Sequence, residues 1–143
     1  MKLSTERILT THVGSLPRPQ DVVDMLFAQD NNTLKDQAAF DEVMRQAVAD
    51  TVQKEVTAGV DIVSDGEMSK ISYATYIQHR LSGFEIGEVP RATPQDLDEF
   101  PDYRDRLAKA GGTPKYHRPI CTGPITVKNQ TPLQKDIAHL KEA

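Results

Sequence analysis

The sequence predicts an α/β fold built on a parallel sheet. Three observations predict it. Short runs of β-formers alternate with helical periodicities. A 3–4 spacing of apolar residues runs unbroken from Phe40 to Val56. Each expected strand stops at a turn containing glycine. The chain of 143 residues is long enough for one domain with a core.

Taken in order, Ile8–His12 is the first expected strand, ending at Val13-Gly14-Ser15. Pro17 and Pro19 keep the backbone extended, and Pro19 is suited to begin a helix because its missing N–H would have no partner there. Val22, Val23, Leu26 and Phe27 give that helix its apolar face, and the polar tract Asp30–Thr33 ends it. The long helix follows, with Phe40, Val43, Met44, Ala47, Val48, Thr51, Val52 and Val56 on one stripe and charged residues opposite. Gly59 closes it, and Val60–Ser64 is the second strand. A helix over Ile71–Leu81 has Ser69 or Ser72 as its cap. Residues 86–117, rich in proline, glycine and charge, predict an irregular excursion with one short helix near Tyr103–Lys109. Within Arg118–Val127 the third strand is Ile120–Thr122, because Pro124 cannot continue a central strand. Thr131-Pro132 reads as cap and first turn of a last helix marked by Leu133, Ile137 and Leu140. That helix is still running at Ala143.

The net charge is −4, with no clustered basic face of the kind that binds nucleic acid. No run approaches the ~18 apolar residues of a membrane span. The N-terminus lacks the apolar region of a secretory signal, so a cytoplasmic location is expected. The single cysteine, Cys121, rules out an intrachain disulfide and reads as a buried, inert thiol. His79, His117 and His139 lack metal-ligand spacing.

In parallel α/β folds, ligands gather at the carboxyl ends of the strands. There the sequence places His12-Val13-Gly14-Ser15, Asp65-Gly66-Glu67 and Thr122-Gly123-Pro124. Glycine lets backbone approach a ligand closely, and a carboxylate at such a mouth can meet a substrate cation. Plainer readings stand beside this. Asp65 and Glu67 also suit a turn and a helix start. Gly14-Ser15 also suits an ordinary turn, and His12 a hydrogen-bonded histidine under a loop.

The segments TTHVGSLPRP (10–19), AGVDIVSDGEMSK (58–70) and PICTGPITV (119–127) resemble the cobalamin-independent methionine synthase family, in its shorter single-barrel form. The resemblance implies a (β/α)8 barrel of TIM type, of which this chain holds the first three βα units. It implies methyl transfer from a methyl-tetrahydrofolate donor to the thiol of homocysteine. It places the amino-acid carboxylate at Val13, Gly14 and Ser15 and the amino group at Glu67; His12, where the larger family members carry a different residue, and Asp65 are secondary candidates by their place at the strand ends. It also implies a zinc ion in the complete enzyme, with ligands expected beyond Ala143 and none within this chain. A complete barrel takes ~250 residues, so the expectation is an N-terminal portion, inactive alone. The rest of the barrel, or self-association, would cover its open edge. Two alternatives remain: a uroporphyrinogen decarboxylase-like or thiol-cofactor methyltransferase on the same barrel, and a non-catalytic assembly module.

Overall fold

The computed structural model describes residues 3–87, 95–109 and 119–143. Its core is a pair of helices. Helix α1 (Gln20–Asp30) starts behind Pro19, which occupies the N-cap rather than the first helical position. Helix α2 (Gln37–Thr57) is capped by Asp36, whose side chain accepts from the Ala39 N–H. At its far end the N–H of Gly59 reaches the Val56 carbonyl and that of Val60 the Glu55 carbonyl, a Schellman closure. Gly59 has φ +80°, which this closure requires.

Val22 and Leu26 of α1 pack with Phe40, Met44, Ala47, Val48 and Val52 of α2, and Met68 joins them from the loop beyond. The stripe on α2 departs from the expected one at its end. Val56 is exposed, and Glu55 is buried instead. A buried carboxylate needs partners. Glu55 accepts the Ser64 N–H at 2.6 Å and the Ser64 hydroxyl at 2.9 Å. It thereby ties the end of the second expected strand to α2.

The first two expected strands lie side by side and parallel, but their pairing shrinks to one bridge, Thr11 with Ile62. Asp61 secures the entrance by accepting from Arg7 and from the Thr10 N–H. The third expected strand does not join them. Strand β1 (Phe84–Ile86), which sequence reading missed, pairs antiparallel with β2 (Pro119–Cys121). The ribbon is prolonged by a second antiparallel bridge between Leu81 and Val127. The physical reason is visible at Gly83. A Cβ there would lie 2.6 Å from the carbonyl oxygens of Gly123 and Pro124, so the Gly123-Pro124 corner folds against Gly83. Three parallel strands are therefore not what the described residues form. Cys121 is exposed, not buried.

Helix α3 (Tyr73–Arg80) is capped by Ser72, leaving Ser69 for another role. Within the expected excursion stand α4 (Gln95–Glu99) and α5 (Pro101–Lys109), the latter covering the anticipated short helix. The remainder of that excursion, 88–94 and 110–117, lies outside the described residues, as does Arg118. Helix α6 (Thr131–Glu142) begins one position earlier than expected. Gln130 is its cap, and the Asn129 side chain accepts the Thr131 N–H. It packs against α2 yet buries none of its residues.

Candidate functional site

Two turns meet at the edge of this core. In the first, Gly14 has φ +100° and Ser15 follows it. In the second, Gly66 and Glu67 both lie in the left-handed region, at φ +58° and +55°. Such backbone is ordinary for glycine and uncommon for glutamate. The turns are joined by the Leu16 N–H, which donates to the Gly66 carbonyl at 3.0 Å. They are joined again by the Ser15 hydroxyl, which donates to the Glu67 carboxylate at 2.5 Å. Ser15 and Glu67, 52 residues apart, are thus direct neighbours.

Arg18 binds the two turns from below. One of its nitrogens donates to the Glu67 carbonyl at 2.8 Å and to the Lys70 carbonyl at 2.5 Å. The same nitrogen lies 3.3 Å from the Ser15 hydroxyl. Burial pulls the Arg18 pKa down, partly offset by the charges of Glu67 and Asp65. A guanidinium nonetheless stays charged, and here its forked donors serve as a backbone clamp. Sequence reading did not single out Arg18. Its signal was the cation fixed between Pro17 and Pro19.

Asp65 faces inward. Its carboxylate accepts the Glu67 N–H at 3.0 Å and the Lys70 ammonium at 2.6 Å. Burial works against its ionisation, but Lys70 and the Glu67 N–H outweigh burial and hold its pKa below the usual carboxylate range. Asp65 therefore shapes the turn, while the Glu67 side chain points to the Ser15 side. His12 is half-buried, and its Nε2 lies 3.0 Å from the Gly14 carbonyl. It braces the first turn. Val13 projects outward, 87% exposed. The backbone N–H groups of Val13, Gly14 and Ser15 have no hydrogen-bond partner among the described residues. The third expected corner, Thr122-Gly123-Pro124, belongs instead to the antiparallel ribbon, where the Thr122 N–H donates to the Gly83 carbonyl at 2.8 Å.

The arrangement offers a carboxylate, the hydroxyl that donates to it and a short row of N–H donors. That set complements a small zwitterion: the amides and hydroxyl suit a carboxylate, and Glu67 suits an ammonium. Among the described residues no three His, Cys, Asp or Glu side chains stand together as a metal ion would require. Among them, too, no helix is long and apolar enough to cross a membrane.

Residues 8–91, which hold both turns, match the family model described as cobalamin-independent synthase, catalytic domain. A methionine synthase of Sulfurisphaera tokodaii is 33% identical over 139 residues, covering 82% of this chain and 38% of that protein. A 5-methyltetrahydropteroyltriglutamate–homocysteine methyltransferase of Caulobacter vibrioides is 24% identical over 156 residues, covering 95% of this chain and 19% of that protein. The chain thus spans about a fifth of the length of such long relatives. Among solved structures, a B12-independent methionine synthase from Shewanella sp. W3-18-1, in complex with selenomethionine, superposes with a TM-score of 0.57. It is 21% identical, and the match covers 93% of this chain and 34% of that one. At that identity the likeness speaks for the fold.

Proposed function

The chain belongs to the cobalamin-independent synthase catalytic-domain family, and from that premise we propose that it carries the amino-acid-binding part of a methionine synthase-type methyltransferase. The proposed reaction moves a methyl group from a methyl-tetrahydrofolate-type donor to the thiol of homocysteine. The observation that carries the proposal is the 2.5 Å contact between Ser15 and Glu67, which brings the two turns of the family's match into one site.

In this reading the ammonium of homocysteine approaches Glu67. The carboxylate takes the place opposite the N–H groups of Val13, Gly14 and Ser15. The Ser15 hydroxyl, which in the free site donates to Glu67, rotates to donate to the substrate carboxylate. The ammonium then replaces that lost donor at Glu67, so the carboxylate keeps a partner. Arg18 keeps the two turns at fixed spacing while this exchange occurs. The chain binds and orients the amino acid. The activating metal and the folate site are assigned to the remainder of the protein. A catalytic zinc wants about three protein ligands, and the described residues supply no such set. Ile8, 86% exposed, and Ile62, 43% exposed, form an apolar edge beside the single parallel bridge, and further strands of a barrel would cover it.

The test is calorimetric titration of the complete protein with L-homocysteine. Glu67→Gln is expected to weaken binding about tenfold or more, as loss of a charge-assisted bond implies. Unchanged affinity would remove Glu67 from the site.

A further inference from the structure

The turn that presents Glu67 is tied to a helix far along the chain. On α6, one oxygen of Asp136 accepts from the Ser69 hydroxyl at 2.6 Å. The other accepts from the Tyr76 hydroxyl at 2.6 Å and lies 3.4 Å from the Lys70 ammonium. Lys70 in turn binds Asp65, and Asp65 receives the Glu67 N–H. Three polar links therefore lead from α6 to the backbone of Glu67. The side chains of Lys70, Asp65 and Asp136 are only 14%, 21% and 13% exposed, so water does little to replace these bonds. The Lys70 ammonium also sits 5.3 Å from the centre of the Tyr76 ring.

Two features give this chain of contacts a purpose beyond holding a helix in place. Glu67 has φ +55°, a conformation that persists in a non-glycine residue only when its surroundings over-determine it. And α6 buries no residue, while Asp136, Ser69 and Tyr76 border a cleft of about 380 Å³ between α2, α3 and α6. Polar bonds help to locate the helix on α2, among them those to the 65–70 turn and that of Lys135 to Asp41.

We infer that Asp136 and Lys70 are positioning residues for Glu67: they fix the 65–70 turn in its left-handed form and act on the amino-acid ligand only through it. The inference rests on the reading that Glu67 receives the substrate ammonium.

A double-mutant cycle on the complete protein tests it, with L-homocysteine affinity read by calorimetry and folding by circular dichroism. Asp136→Asn and Lys70→Met are each expected to weaken binding about three- to tenfold, whereas Lys70→Arg, which keeps the cation, stays within about twofold of the parent. Placed in a Glu67→Gln background, Asp136→Asn and Lys70→Met should cost less than about twofold more, because the residue they position no longer carries the charge. A merely structural role would not produce that non-additivity. Should Asp136→Asn fail to fold, Lys70→Met carries the test alone. The inference is overturned if both variants bind like the parent, or if they weaken the Glu67→Gln protein as much as they weaken the parent. A Glu67→Gln protein that itself binds like the parent points to a different failure. It removes the amino-acid reading, and this inference with it.

Discussion

The two turns of the site are made in different ways. At Gly14 an added Cβ would meet nothing within 4 Å, and the neighbouring Val13 stands in solvent. At Gly66 the same atom would lie 2.9 Å from Thr51, 3.1 Å from Met68 and 3.2 Å from Leu16. Both glycines have positive φ. One turn is therefore set by backbone conformation and a few hydrogen bonds, while the other is set into the core. The difference teaches a division of labour. In the proposed reading the enclosed turn holds the charged group still, and the open turn offers N–H donors to a ligand.

Substitutions at the two glycines should act unequally. Gly66→Ala should have the larger effect. It combines left-handed strain with overpacking against Thr51 and Met68, about 2–4 kcal/mol in all. Gly14→Ala meets no atoms and should cost only the conformational part, about 1–2 kcal/mol. Urea unfolding of each variant measures this. Equal losses would mean that the enclosure of Gly66 does not matter.

Acid should act on the enclosed turn, with a smaller effect. The folded Asp65 pKa is depressed, because Lys70 and the Glu67 N–H outweigh burial. Its contribution is therefore fully present above the unfolded carboxylate pKa of about 3.9 and is lost as pH falls through the lower folded value. Partial solvent screening keeps this loss small. It should fall on the 65–70 turn. Stability measured between pH 5 and pH 2 is expected to drop less in Lys70→Met than in the parent, because that variant has already lost the stabilising partner.

Much of the helical frame was legible in the sequence. The α2 stripe, the Gly59 stop and the Ser72 cap are local signals, written within a few residues of where they act. The meeting of Gly14-Ser15 with Glu67 was also legible, because both follow runs of β-formers that lie parallel. What escaped the sequence is long-range and polar. Phe84–Ile86 pairs with residues some 35 positions away, and nothing in three residues names that partner or its antiparallel sense. Glu55 is charged and sits where the stripe expects Val56. Only the Ser64 N–H and hydroxyl, folded onto it, make burial tolerable. Lys70 and Asp136 are ordinary surface letters in the sequence, and Arg18 is marked only by its two flanking prolines. Their roles depend on which carbonyls and carboxylates the fold brings to them.

The central claim is that Glu67 recognises the amino group of a small amino acid held between the two turns. Its most direct measurement compares L-homocysteine with 4-mercaptobutyrate, which lacks that amino group, in calorimetric titrations of the parent and of Glu67→Gln. The parent is expected to prefer homocysteine by about tenfold or more, and Glu67→Gln to lose most of this preference. An undiminished preference in the variant would contradict that claim.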